Sequence, residues 1–211
     1  MSCRLISITD NAESLVTYIA RVSSPNQDNP NIKGLLRYCI REKHWSVFEM
    51  ATMVIEINTT RAISAQIVRH RSFNYSEFSQ RYSSVEQDLE IPQLRRQDLK
   101  NRQNSISDLD DDLVNELSTE IKEHFKRTKD LYRKLLDKGV AKECARGVLP
   151  MSSPTKMYMS GSIRSWVHYI KVRTHESSQR EHADIANQIK EIFKKELPII
   201  YDACFEQMGE S

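Results

Sequence analysis

Between Thr52 and Asn58 the apolar Met53, Ile55 and Ile57 alternate with Thr52, Val54, Glu56 and Asn58. A period of two sends successive side chains to opposite faces, so the stretch from Phe48 to Thr59 predicts a strand with one face buried. Lys156 to Ser160 alternates in the same way around Met157 and Met159, and residues 3–8 read as a first strand. Elsewhere the period is helical. Residues 11–21, 31–43 and 60–70 predict helices, the last with Ile63, Ile67 and His70 at helical spacing. From about Asp108 the stripe Leu113, Leu117, Ile121, Phe125, Thr128, Tyr132 and Leu135 predicts a long amphipathic helix, with Ser107 or Asp108 as its cap. A short helix over 141–146 precedes Leu149-Pro150. Ile163, Trp166, Val167 and Ile170 mark one face of a further helix. Ile185, Ile189, Ile192 and Phe193 mark the last, which Pro198 interrupts or ends.

Two stretches carry no clean period. Residues 71–86, rich in serine and aromatics, read as a turn and then a strand. Residues 87–107, polar and holding Pro92, read as a long loop, and loops of that length in compact domains are commonly functional or mobile. With no internal repeat and no linker, the pattern gives one α+β domain over residues 1–211.

Composition narrows the function. At 39% hydrophobic and 28% charged the chain suits a folded globular protein. No apolar run reaches the roughly 20 residues of a membrane span, and the start has no secretory pattern, so the cytoplasm is the expected location. Cys3, Cys39, Cys144 and Cys204 form no close pair and read as reduced, mostly packed thiols. Lys+Arg 31 against Asp+Glu 29 leaves a formal charge of +2, without the basic excess of a general nucleic-acid coat. No Gly-rich dinucleotide fingerprint or phosphate-binding loop is present, so any phosphate must be held by side chains and helix N-termini.

Arginine placement supplies the candidate. Residues 69–83 run Arg69-His70-Arg71-Ser72-Phe73-Asn74-Tyr75-Ser76-Glu77-Phe78-Ser79-Gln80-Arg81-Tyr82-Ser83, directly after a helical stretch. Guanidinium forks and hydroxyls suit a phosphate, and Phe73, Tyr75, Phe78 and Tyr82 suit stacking on a planar ring. Read on its own, the same cluster is equally a solvated helix end with a few core aromatics.

The string Arg69-His70-Arg71, seven residues, then Ser79, continuing through Arg81, Tyr82 and Ser83, resembles the signature of the flavin-dependent thymidylate synthases. His44-Trp45-Ser46-Val47-Phe48-Glu49 upstream is similar to another segment of that family. So are Ala145-Arg146-Gly147-Val148-Leu149-Pro150 and the stretch from Arg164 through His168 to Arg173 and Gln179 downstream. The segments occur in the family's order and cover nearly the whole chain. The resemblance implies a helix-rich domain around a mostly antiparallel sheet, assembled as a homotetramer with its site between subunits.

It also implies roles. Ser46, Glu49, Arg69, His70, Arg71, Glu77, Arg164 and His168 are the expected FAD site. Gln66, Arg69, Glu77, Ser79, Gln80, Arg81, Arg146 and Arg173 are the expected dUMP site, with Arg173 stabilising the uracil ionised at N3. The implied reaction is reductive methylation of dUMP to dTMP, with methylenetetrahydrofolate as carbon donor and NADPH-reduced FAD as hydride carrier. The family often has asparagine at the positions of Ser162 and His168, and some members place a ring-stacking histidine near Ser177.

Other readings of single residues are blander. Ser79 beside Arg81 reads as a phosphate ligand rather than a nucleophile, and Cys144 as a packed thiol. His175 and His182, seven apart, have no zinc spacing and read as a solvated helix face, and His124 as a partly buried histidine. No metal is expected. Two other functions compete: a nucleic-acid module stacking bases on the Arg/Phe/Tyr cluster, which the small net charge disfavours, and an interaction protein using 108–137 as a partner-binding helix.

Overall fold

The structure, a computed structural model, describes residues 1–206. Its frame is a sheet of four strands: β1 (Ser2–Ile8), β2 (Thr52–Thr60), β6 (Pro154–Ser162) and β3 (Asn74–Glu77), in that spatial order and antiparallel throughout. The two central strands lie in register, Ile55 opposite Met159 and Ile57 opposite Met157, and all four side chains are fully buried. The alternation seen in the sequence is therefore the inner face of this pair. On the opposite pleat Glu56 is also shielded, because Arg4 Nη2 lies 3.1 Å away and the Tyr158 hydroxyl donates to it at 2.8 Å. Phe48 does not extend the strand; it lies in a short 3₁₀ turn, Trp45–Glu49.

Helices α1 (Ala12–Ala20) and α2 (Ile32–Arg41) follow β1, and α3 (Arg61–Ile67) follows β2 directly. After β6 come α6 (Ile163–Arg173) and α7 (Arg180–Glu196), which pack on each other, with α7 also packed on β1. Trp166 is fully buried and its indole N–H donates to the Met53 carbonyl at 3.0 Å, fastening α6 to β2. Burying such a ring contributes roughly 2–3 kcal/mol, and pairing its one donor removes the desolvation cost. Pro198 ends α7 and opens a four-residue helix, α8 (Pro198–Tyr201). Glu13 of α1 caps that helix, accepting from the backbone N–H groups of Ile199 and Ile200 at 2.8 and 2.9 Å.

Several sequence expectations are corrected. Residues 87–107 are not structureless: β4 (Arg96–Gln97) and β5 (Ser105–Ile106) pair as a small hairpin whose turn is held by Asp98 Oδ1. The long helix α4 runs Asp111–Asp137, and Asp110 is its cap, accepting from the N–H groups of Asp112 and Leu113. Ser107 and Asp108 are otherwise committed, Ser107 to Arg180 and Asp108 to Arg96. The short helix α5 covers Lys142–Ala145 and continues as a 3₁₀ turn, Arg146–Val148.

His182 is fully buried rather than solvated, because it falls on the same face of α7 as Ile185, Ala186 and Ile189. Cys144 is exposed on α5, where only Ala145 is buried, and His124 is exposed on α4. Tyr132 is the sole buried side chain of α4 among the described residues; Leu113, Leu117 and Leu131 are 36–46% exposed.

Candidate active site

The expected residues fall in three places. The first is a groove of about 520 Å³ between the 3₁₀ turn and α6, lined by Trp45, Glu49, Ser72, Arg164, His168 and Lys171, among others. Ser162 caps α6, accepting from the Ser165 N–H at 3.3 Å, which sets the helix direction. Positions 164, 168 and 171 then lie on one face by the 3.6-residue period and present three basic side chains to the groove. Arg164 Nη1 pairs with Glu49 Oε1 at 3.0 Å, with both side chains well exposed. An exposed pair contributes at most about 1 kcal/mol, so an anionic ligand can draw the guanidinium away at little cost. Ser72 faces the same groove and its carbonyl accepts from the Ser165 hydroxyl at 3.4 Å. Ser46 lies in the 3₁₀ turn and is exposed.

A basic wall, two serines and the apolar Trp45 and Val167 form one lining. That donor set fits a flavin dinucleotide, with cations and hydroxyls for its phosphates and an apolar side for its ring. Arg69 and Arg71, both exposed, make no side-chain hydrogen bond or ion pair among the described residues, and so add uncommitted cations at the end of α3.

The second place holds two pairs, His70 with Arg173 and Gln66 with Gln179. Arg173 Nε donates to His70 Nε2 at 2.8 Å. Burial, then the Arg173 charge, then His168, push His70 down to about 4, so its ring is neutral at pH 7. The ring also meets Tyr169 edge-on at 4.9 Å, and the Tyr169 hydroxyl is bonded to His182 Nε2 at 3.0 Å. His182 is pushed down to about 3 by burial, Arg173 and His70, in that order. Gln66 Nε2 donates to Gln179 Oε1 at 2.5 Å.

The third place lies beyond β3. Because β3 runs antiparallel to β6, Asn74 sits at the α6 end of the sheet and Glu77 at the other. Glu77 is bonded to Arg61 at 2.6 Å and to the Thr155 hydroxyl at 2.9 Å. Arg81 Nε meets Glu143 of α5 at 2.7 Å, which brings it to the helix that leads into Arg146. Ser79 and Arg146 are exposed, whereas Gln80 is buried with its Nε2 unpartnered. Among the described residues, no hydrogen bond or ion pair joins Glu77, Ser79, Gln80, Arg81 or Arg146 to the first two places.

Sequence reasoning missed Ser72, Lys171, Tyr169 and His182. Lys171 was readable as the next turn after Arg164 and His168, and His182 as an extension of the Ile185 stripe toward the N-terminus. Among the described residues, no group of three or more His, Cys, Asp and Glu side chains is arranged to hold a metal ion, and no helix is long and apolar enough to cross a membrane.

Comparison with known proteins finds relatives along nearly the whole chain. Residues 4–199 match the family described as thymidylate synthase complementing protein. A probable flavin-dependent thymidylate synthase of Paramecium bursaria Chlorella virus 1 is 52% identical, over 96% of this chain and 98% of that protein. A flavin-dependent thymidylate synthase of Synechocystis is 47% identical, over 95% and 97%. Among solved structures, the UMP/dUMP methylase PolB of Streptomyces cacaoi bound with 5-Br dUMP superposes with a TM-score of 0.85 at 25% identity, covering 96% of this chain and 93% of that one. The same methylase bound with 5-Br UMP gives 0.86 at 26%. With both the sequence and the fold matched along almost its whole length, the chain belongs to the flavin-dependent thymidylate synthase family.

Proposed function

We propose that this flavin-dependent thymidylate synthase makes dTMP by attaching a one-carbon unit from methylenetetrahydrofolate to C5 of dUMP, with FAD in the Arg164 groove and NADPH as reductant. The observation that carries the reading is the pairing of a basic, part-apolar groove on α6 with a neutral His70 that holds Arg173. Bound flavin supplies the reducing equivalents that complete the methyl group. The chain's own residues bind, orient and stabilise charge.

Arg164, His168, Arg69 and Arg71 take the dinucleotide's phosphates, with Ser46 and Glu49 as further polar contacts on the same chain and Glu77, at the far end of β3, contributed by a second copy. Arg173 faces the uracil. Its Nε is spent on His70, which leaves the two terminal nitrogens to stabilise a uracil ionised at N3, and so to raise electron density at C5. A neutral imidazole suits this arrangement, since a protonated one could not accept from the guanidinium and would repel it. Gln66, held by Gln179, is a further nucleotide contact.

Ser79, Gln80, Arg81 and Arg146 hold the nucleotide phosphate, in a patch set apart from Arg173 on the same chain. A second copy of the chain supplies that patch, so the complete site forms between subunits of a homotetramer. The uncovered leucines of α4 support this reading, because an exposed apolar stripe of this kind marks an interaction surface. The domain spans residues 1–211, and the protein acts in the cytoplasm without binding nucleic acid. The direct test is product analysis: purified protein given dUMP, methylenetetrahydrofolate, NADPH and FAD is expected to form dTMP, and no dTMP with all four present would refute the proposal.

A further inference from the structure

Arg95, in the 87–107 excursion, is tied into the nucleotide side of the molecule. Its Nη1 lies 2.7 Å from Glu181 Oε1 and its Nη2 donates to Glu181 Oε2 at 2.9 Å, a two-pronged pair in which the side chains are only 10% and 17% exposed. The remaining Nε donates to the Ser105 hydroxyl of β5 at 2.8 Å, so one guanidinium joins the hairpin to the start of α7. Burial pushes the Glu181 carboxyl up, but hydrogen bonds from Arg95 and Gln179 outweigh it and leave the group below its usual range.

From Glu181 the contacts continue inward. Gln179 Nε2 donates to Glu181 Oε2 at 2.9 Å, and Gln66 Nε2 donates to Gln179 Oε1 at 2.5 Å. Each step has one allowed polarity. Arginine only donates, and the ionised carboxylate it holds only accepts. Gln179 must therefore turn its amide nitrogen to Glu181 and its oxygen to Gln66. Gln66 in turn must spend a nitrogen there, and its Oε1, which has no partner among the described residues, is left as an acceptor.

We infer that Arg95 is a positioning residue for nucleotide binding: through Glu181 and Gln179 it fixes Gln66 with its carbonyl oxygen presented to a hydrogen-bond donor of dUMP. The inference rests on the reading above that Gln66 contacts the nucleotide. It gives the 87–107 hairpin a task, since the hairpin delivers the one side chain whose donors cannot reverse.

The test is a double-mutant cycle on dUMP affinity in the flavin-loaded protein, using Arg95→Ala and Gln66→Ala singly and together. Losing one oriented hydrogen bond predicts roughly three- to tenfold weaker binding for each single variant. In the double variant binding is expected to be no weaker than in Gln66→Ala alone, with flavin content unchanged. If the two effects multiply, or if Arg95→Ala binds dUMP like the wild type, the relay is overturned. Glu181→Gln guards against a folding defect, because it keeps the shape but can donate as well as accept, so Gln179 is free to reverse. It is expected to weaken dUMP binding without altering the melting temperature by more than Arg95→Ala does, and wild-type affinity in that variant also overturns the relay. Failure of the wild-type protein itself to bind dUMP would instead refute the nucleotide reading on which the relay rests.

Discussion

Arg173 and His70 are joined by a single hydrogen bond of 2.8 Å from Nε to Nε2, and its direction fixes two things at once. The imidazole must be neutral with its proton on Nδ1, and the guanidinium must present its terminal nitrogens elsewhere. Arg173→Ala is therefore expected to keep the fold and lose dTMP formation by about a hundredfold or more, the scale seen when a donor to a developing anion is removed. Arg173→Lys keeps the charge but replaces the planar fork with a single ammonium, so it should recover only part of the rate. Turnover near wild type in the alanine variant, measured as dTMP formed per subunit, would contradict the assignment.

The half-buried His70 and the fully buried His182 set an acid limit on stability. His70 and His182 titrate near 4 and 3 in the folded protein, below the usual 6.5 for histidine. Between those values the unfolded chain binds more protons than the folded one, so stability is full above about 6.5 and falls as pH drops toward 4 and then 3. Urea midpoints measured from pH 7.5 to 4 should decline, and His182→Gln should flatten the decline. An unchanged pH dependence in that variant would place the acid sensitivity elsewhere.

Gly161 faces the ring of Phe73, which lies just before the neighbouring strand β3. A Cβ there would lie 2.5 Å from Phe73 Cδ1, and the ring is packed edge-on against Trp166 and Tyr169 at 4.7 and 5.9 Å. Gly161→Ala should cost about 1–3 kcal/mol through overpacking and should also weaken flavin binding, because Phe73 adjoins Ser72 of the groove. Denaturant unfolding and flavin titration together check both parts.

The uncovered side of α4 predicts self-association. Leu117→Asp places a charge in the apolar stripe and should reduce the assembly in sedimentation velocity while leaving the far-UV spectrum of the subunit intact. An unchanged sedimentation coefficient would show that α4 is not an assembly surface.

How far the sequence could be read depended on whether an element buries one face within its own chain. Met53, Ile55 and Ile57 announce β2 because its inner face meets a core. The α6 stripe announces a helix for the same reason, leaving Arg164 and His168 together on its other side. The α4 stripe was equally visible, yet its exposure was not: among the described residues Leu113 and Leu117 are 40% and 36% exposed. His182 was misplaced because a histidine suggests solvent, although its spacing from Ile185 put it on the buried face. The hairpin at 96–106 and the Arg95–Glu181 pair have no local signal. The pair depends on a partner 86 residues away, and polar residues that find one look the same in sequence as those that face water.

The central claim is a redox flavin whose environment responds to dUMP, and the visible absorption spectrum of the purified, FAD-supplemented protein tests it most directly. The oxidised-flavin bands are expected to bleach on anaerobic addition of NADPH, and dUMP added to the oxidised form is expected to perturb them. A protein that takes up no FAD, or a bound flavin that neither NADPH nor dUMP affects, would contradict the account.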